Sequence, residues 1–122
     1  MFEIVYYQNS KGEAPVRKSI ESLLLKKDKQ SRIRYRKVSD YIGILELLGK
    51  AAGEPYVKHI EGSLWELRPL DDRLFFAAAI GNQIVLLHHF VKKTRKTPRR
   101  EIDQALRNLE DWKKRRNKYE DT

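Results

Sequence analysis

The chain has 122 residues, no cysteine and a formal net charge of +9 at pH 7, because 26 Lys and Arg oppose 17 Asp and Glu. The lack of cysteine excludes disulfide scaffolds, cysteine-ligated zinc and thiol nucleophiles. The length and an apolar fraction of 40% predict one folded domain over residues 1–122. The excess of cations favours a polyanionic or acidic partner, and the alternative is a surface charge that only aids solubility.

The first half of the chain is predicted to be a strand followed by a helical hairpin. Residues 2–8, FEIVYYQ, are β-branched and aromatic, which favours a strand over a secretory signal. Pro15 and apolar residues at helical spacing predict a helix over about 15–28. Ser31 is the expected N-cap of a second helix that reaches Gly49 or Gly53. No apolar run approaches the roughly 18 residues that cross a bilayer, so we expect a cytoplasmic protein.

The second half is predicted to contain three strands and a final helix. Residues 56–62, YVKHIEG, are interpreted as a basic connector. The three strands are predicted to start at Ser63 or Leu64, to span 73–80 and to span 83–91. Gly81-Asn82 is a hairpin loop signal, and Thr97 can cap a helix that begins at Pro98. The order β-α-α-β-β-β-α indicates an α+β fold, a small and mainly antiparallel sheet with helices packed on one face.

Strand alternation predicts which side chains share a face. A two-residue loop places Arg73 opposite Phe90 and Phe75 opposite His88. The side predicted to lie under the helices contains Trp65, Leu67, Leu74, Phe76, Val85 and Leu87. The side predicted to face outward contains Glu66, Arg68, Arg73, His88 and Lys92. A slip of one residue would exchange His88 for His89 and Lys92 for Lys93.

Cations inside apolar strands are the main functional signal. An unpaired cation is costly to bury, so Arg68 and Arg73 predict a sheet face that binds an anion. The alternative is a pair of structural arginines bridged to Glu66, Asp71 or Asp72. His88 or His89 is a candidate general acid or base, and a packed or solvated histidine is the alternative. Lys58 and His59 on the connector are candidates of the same kind as the two histidines, with a packed or solvated side chain again as the alternative.

At this point the residues resemble a known family. The segment LWELRPLDDRLFFAAAIGNQIVLLHHFVKKTRKTP, with the following EIDQA, resembles the phage-derived branch of the RelE/HigB toxins of type II toxin–antitoxin systems. The resemblance covers most of the chain and is strongest from Lys58 to Ala105. It implies a ribonuclease-like sheet whose concave face cuts mRNA on the ribosome, with cations at Arg68, Arg73 and the Lys92/Lys93 pair.

The resemblance also implies a partner and leaves one role open. The partner would be a HigA-like antitoxin with a helix-turn-helix domain, in an assembly such as a heterotetramer. Some family members place a tyrosine or histidine near the C-terminus as general base. Here the candidate in the tail is Tyr119, far along a helix, so the proton-transfer residue stays undecided.

The expected chemistry uses the RNA 2′-hydroxyl as nucleophile, so no metal or cofactor is expected. Arg68 and Arg73 suit the charge that develops on the phosphate. Lys92 or Lys93 would stabilise the phosphate or protonate the leaving oxygen, and His88 or His59 would be the base. Further contacts to RNA or the ribosome are expected from Lys58, His59, Arg95, Lys96, Lys113, Lys114, Arg115 and Arg116.

Two other classes of protein remain open at this stage. One is a ParE-like toxin, which has the same fold but acts on DNA gyrase without cutting RNA. The other is a plain nucleic-acid-binding module, in which charge removal anywhere on the surface would matter as much as the loss of Arg73. The arginines and the lysine pair favour the nuclease.

Overall fold

Within residues 1–120, whose backbone the computed structural model describes, five strands and three α-helices form an α+β fold. Side chains are described for residues 1–116, so the side chain of Tyr119 lies outside the described residues. In chain order the elements are β1 (Glu3–Tyr6), α1 (Pro15–Leu25), α2 (Lys29–Leu48), β2 (Val57–Glu61), β3 (Leu64–Leu67), β4 (Asp72–Ala78), β5 (Gln83–Val91) and α3 (Arg99–Glu120). The predicted class and element order are confirmed, with β2 as one additional strand. None of the helices in this part of the chain is long and apolar enough to cross a membrane.

The strands form one sheet in the order β1-β5-β4-β3-β2. Every neighbouring pair is antiparallel except β1 and β5, which are parallel. Strand β2 occupies the segment that was expected to be a connector, and its Val57 is buried opposite Leu67. Its sequence VKHIE carries two exposed polar residues in the middle, so apolar alternation was too weak to predict an edge strand.

Two helix starts differ from the prediction. The carboxylate of Asp28 caps α2 and accepts a hydrogen bond from the Ser31 backbone N–H at 2.9 Å, so Ser31 is not the cap. Helix α3 begins at Arg99. The Thr97 hydroxyl lies 3.4 Å from a Glu66 carboxylate oxygen and donates to it instead of capping the helix. This contact ties the start of α3 to the sheet.

The helices cover both faces of the sheet, whereas the sequence predicted one covered face. The face under α1 and α2 is built from Val16, Val38, Ile42, Leu45, Leu67, Leu74, Phe76, Ile84 and Leu86. The opposite face, under α3, is built from Tyr7, Leu64, Phe75, Ala77, Val85, Leu87, Ala105 and Leu109. Strands buried on both sides lose the polar alternation from which the prediction was made.

A β-bulge between β4 and β5 explains why the predicted faces were partly wrong. Arg73 opposes Phe90 and Phe75 opposes His88, as predicted, but Phe76 then opposes Leu86. The extra residue in β5 moves Val85 and Leu87 to the α3 side, although both were predicted to lie under the other helices. A bulge gives two residues on one strand a single partner, which strict alternation does not anticipate.

The core under α1 and α2 gives the first prediction. Phe76 is fully buried there, so Phe76→Ala should lower the free energy of unfolding by about 3–5 kcal/mol. Ile80 is 61% exposed, and Ile80→Ala should change it by less than about 0.5 kcal/mol. Urea unfolding followed by circular dichroism measures both values. Equal losses in the two variants would contradict the described packing.

Candidate functional site

Strand register brings a row of four side chains onto one face. Lys58 of β2 opposes Glu66 of β3, which opposes Phe75 of β4, which opposes His88 of β5. Residues two apart along a strand share a face, so neighbouring positions extend the row into a patch. We call this patch the Arg73 face, and it consists of Lys58, Glu66, Arg68, Arg73, Phe75, His88, Phe90 and Lys92. It lies on the α3 side of the sheet, beside the start of that helix.

Glu66 lies at the centre of the Arg73 face. Its side chain is 1% exposed, and one carboxylate oxygen lies 3.4 Å from Arg68 Nε and 3.6 Å from Arg73 Nε. Both Nε atoms are buried, and neither has a hydrogen-bond partner among the described side chains. The structural interpretation therefore holds in part, because Glu66 pairs electrostatically with both arginines. Both guanidiniums nevertheless keep an N–H group unsatisfied.

The position of Arg73 is fixed by the turn that precedes β4. Its Nη1 donates to the carbonyl oxygens of Leu70 at 2.6 Å and Asp72 at 2.9 Å. Leu70 has a φ of 55°, a left-handed conformation that is uncommon for a non-glycine residue. Burial lowers the pKa of Arg73, Glu66 acts to raise it, and Arg68 acts to lower it. Arginine stays protonated near neutral pH even when its pKa is lowered, so the turn holds a permanent cation.

His88 lies on the Arg73 face within an aromatic cluster. Its ring is nearly parallel to the rings of Phe75 and Phe90, with centroids 6.3 and 6.0 Å away. His88 Nε2 lies 2.8 Å from a carboxylate oxygen of Glu101 in the first turn of α3. The sequence did not point to Glu101, because nothing in the local pattern links it to a strand residue 13 positions earlier.

His89 faces the other way, so the choice between the two histidines is decided by the fold. Its Nε2 lies 2.8 Å from Asp72 Oδ1, and its Nδ1 lies 2.5 Å from the hydroxyl of Ser19 in α1. Arg34 of α2 forms a bidentate pair with the same Asp72 carboxylate, at 3.0 and 2.7 Å. This network resembles a hydrolase triad in composition. Ser19 also donates to the Val16 carbonyl, and Asp72 is 2% exposed, so we interpret the network as a clamp that joins both helices to the sheet.

The remaining predicted residues are spread over the surface. Lys92 is half-buried at the end of β5, and Lys93, Arg95 and Lys96 are exposed in the loop that follows. His59 opposes Trp65 and packs against its ring at 5.1 Å, on the face away from Arg73. It therefore lies on the wrong side of β2 to serve as the base.

The cationic end of α3 lies at the opposite edge of the sheet from Lys58. Asp111 accepts a hydrogen bond from Tyr7, next to edge strand β1, at 2.6 Å. Arg115 donates to Asp111 and to the Asn9 carbonyl, so it holds α3 against the chain after β1. Lys113 and Lys114 are exposed, and the Arg116 guanidinium lies 5.0 Å from the Trp112 ring centroid. These four residues do not join the Arg73 face.

The part of the chain that the structure describes has no cluster of side chains suited to bind a metal ion. His88 and His89 each have one carboxylate partner, but they lie on opposite faces. Among the described residues, no three His, Asp or Glu side chains are grouped as ligands.

Comparison with known families matches the segment that contains this face. The sequence model of the family described as Phage derived protein Gp49-like (DUF891) matches residues 26–110. That range covers well over half of the chain and runs from α2 into α3. The chain belongs to the Gp49-like family. Gp49-like proteins form part of the RelE/HigB-like toxin group, so this member is toxin-like and a cognate antitoxin partner is implied. A comparison with curated proteins finds no match.

The clamp around Asp72 predicts a specific acid sensitivity. Burial alone raises the pKa of the Asp72 carboxyl, but the hydrogen bonds from His89 and Arg34 outweigh it and lower the pKa to about 2. A carboxyl with a depressed native pKa stabilises the fold above its unfolded pKa, near 4, and the stabilisation disappears as pH falls towards 2. We expect wild type to lose about 2 kcal/mol from this group between pH 5 and pH 2.

Asp72→Asn should remove that component of the acid response. The variant should be less stable at pH 7, and its stability should fall less steeply between pH 5 and pH 2. Asp40→Asn, at an exposed carboxylate of α2, is the matched control and should follow wild type. Urea unfolding at pH 7, 5, 3 and 2 tests this. Parallel pH curves for wild type and Asp72→Asn would rule out the clamp as the source.

Proposed function

We propose that this Gp49-like protein is the toxin of a type II toxin–antitoxin system and a HigB-like endoribonuclease. It would cut mRNA on the translating ribosome without a metal and so stop translation and growth. The observation that supports this most strongly is the placement of Arg68 and Arg73 beside the His88–Glu101 pair on one face. The proposed partner is a HigA-like antitoxin with a helix-turn-helix domain, in a complex such as a heterotetramer.

The two arginines are suited to the phosphate of an RNA substrate. Attack of the 2′-hydroxyl on the adjacent phosphodiester places negative charge on the phosphorus oxygens. A guanidinium matches phosphate geometry, and a preorganised cation stabilises developing charge without having to reorganise. Arg73 is held by two carbonyls and Arg68 by Glu66, so both are oriented before substrate arrives.

His88 is the proposed general base, and Glu101 is its positioning residue. A neutral imidazole that donates Nε2–H to Glu101 carries its lone pair on Nδ1. His88 Nδ1 has no hydrogen-bond partner among the described residues, so it is available to take the proton of the 2′-hydroxyl. Lys92 or Lys93 would supply a proton to the 5′ leaving oxygen. The products would be a 2′,3′-cyclic phosphate and a 5′-hydroxyl.

Primer extension on mRNA from induced cells tests the cleavage itself. Wild type should give discrete cuts that depend on translation. Arg68→Ala should reduce them about 10²–10³-fold, because one stabilising donor is removed from the transition state. Substitution of Arg68 should disturb the fold less than substitution of Arg73, because Arg73 also holds the turn at Leu70.

Arg107→Ala is the matched control, since Arg107 is an exposed arginine of α3 that contacts Gln104. It should cut like wild type, and Arg73→Ala should be inactive while still binding the antitoxin. Growth arrest with DNA damage and no cuts would move the assignment to a ParE-like gyrase toxin. Equal losses for Arg68→Ala and Arg107→Ala would favour a binding module without chemistry.

A second test separates the roles of His88 and Glu101. We expect Glu101→Gln to slow cleavage about tenfold or more, which is part of the 10²–10⁴-fold that a general base contributes. His88→Ala should lose the full contribution. Asp103→Asn, at a neighbouring carboxylate of α3, should leave the rate unchanged. Single-turnover cleavage on purified ribosomes measures all three, and a Glu101→Gln enzyme with the wild-type rate and pH profile would exclude the pair.

A further inference from the structure

The protein has two dense clusters of positive charge, one in residues 92–100, with six Lys or Arg and no acid, and one at the start of α2. Residues 26–37, KKDKQSRIRYRK, contain seven Lys or Arg and one Asp, which gives a net +6 out of the total of +9. None of these cations was expected to take part in the chemistry of the Arg73 face. The segment lies on the α1–α2 side of the sheet, so it is on the opposite side from that face.

Six of these seven cations point into solvent. Arg34 is the exception, because it is bound to Asp72. We call the others the α2 basic face, and they are Lys26, Lys27, Lys29, Arg32, Arg36 and Lys37. Within the described residues, none of the six lies within ion-pairing distance of a carboxylate. The nearby Asp28 carboxylate is occupied in capping the helix.

This arrangement acts against the stability of α2. Lys29 and Arg32 are three residues apart, and Arg32 and Arg36 are four apart, so like charges face each other along the helix. Cations in the first turn also oppose the helix dipole, which favours anions at that end. Internal packing therefore does not account for the charge, whereas an external polyanion would.

We propose that the α2 basic face binds the phosphate backbone of folded RNA. Lys29 to Lys37 spans about 12 Å of helix, enough to follow several successive phosphates. RNA fits this face better than an acidic protein, because its six cations outnumber the large apolar side chains exposed beside it, Leu24, Leu25 and Ile33, whereas a protein interface needs an apolar centre. The inference rests on the proposed function only for the identity of the RNA, which would then be ribosomal.

The test uses full-length protein and a fluorescently labelled RNA duplex of about 24 base pairs, with anisotropy measured between about 50 and 300 mM KCl. The variant is Lys29→Glu/Arg32→Glu/Arg36→Glu. The matched control is Lys11→Glu/Lys18→Glu/Arg107→Glu, which changes net charge by the same amount at exposed sites elsewhere. Thermal unfolding of both is measured in parallel.

Three results are expected. The α2 variant should bind RNA at least about tenfold more weakly near 150 mM salt, and its log–log salt slope should fall by about 2–3. The control should bind within about threefold of wild type. The Tm of the α2 variant should stay close to that of wild type, because like charges persist between positions 29, 32 and 36 while acids at the helix start now interact favourably with the helix dipole.

Two results would overturn the inference. Wild-type RNA affinity in the α2 variant would show that the face does not bind RNA, and equal weakening in both variants would show that the charge acts without a site. If the α2 variant binds RNA with wild-type affinity but no longer binds the antitoxin, the face would be assigned to a protein partner instead. Duplex binding requires no cleavage, so it stays informative if the primer-extension test fails. Normal cuts by the α2 variant would overturn the assignment of that RNA as ribosomal and leave the proposed function intact.

Discussion

The buried carboxylate of Glu66 is the constraint on which the candidate site depends. Removing a carboxylate from water costs several kcal/mol unless cations lie close to it. At 1% exposure Glu66 needs both Arg68 and Arg73, and these arginines tolerate burial because Glu66 is there. The Thr97 hydroxyl donates a hydrogen bond to the same carboxylate, which attaches the start of α3 to it. The structural and functional interpretations of the arginines are therefore compatible, because the contact that fixes each guanidinium leaves its Nε–H without an acceptor.

Two adjacent histidines of β5 have different tasks. The bulge puts Leu87 and His88 on the same side of the sheet, and ordinary alternation beyond it turns His89 to the other side. Beyond it, His88 meets Glu101 on the α3 side, and His89 meets Asp72 on the α1–α2 side. One histidine is thus locked into the clamp that holds the helices, and the other stays partly exposed beside the arginines. A bulge next to a functional site is a common way to redirect a side chain.

The part of the fold near the site was the part that the sequence predicted best. Arg73 opposite Phe90 and Phe75 opposite His88 are as predicted, but the predicted two-residue loop is wrong, because the Ala79 N–H donates to the Gln83 carbonyl and the loop holds one residue more than Gly81-Asn82. The bulge compensates for this shift of one residue, so the predicted register holds beyond it. The apolar residues nearer the loop were misplaced, because both faces are covered and hydrophobicity no longer distinguishes them. Strand β2 was missed since its interior residues are polar. The partnership of Glu101 with His88 and of Arg34 with Asp72 depends on tertiary packing, for which local spacing carries no signal.

The distribution of paired and unpaired cations separates the surfaces of this molecule more clearly than the net charge does. On the Arg73 face, carboxylates lie beside the cations and fix their positions, which a reaction that stabilises one developing charge requires. Along the end of α3, Lys114 pairs with Glu110 and Arg115 with Asp111, so those charges are largely compensated. On α2 every cation except Arg34 lacks such a partner among the described residues. Attraction of a polyanion depends on cations whose charge is not already neutralised, so within the described residues it is carried by the α2 basic face and by the loop after β5, where Lys92, Lys93, Arg95 and Lys96 also lack an ion pair.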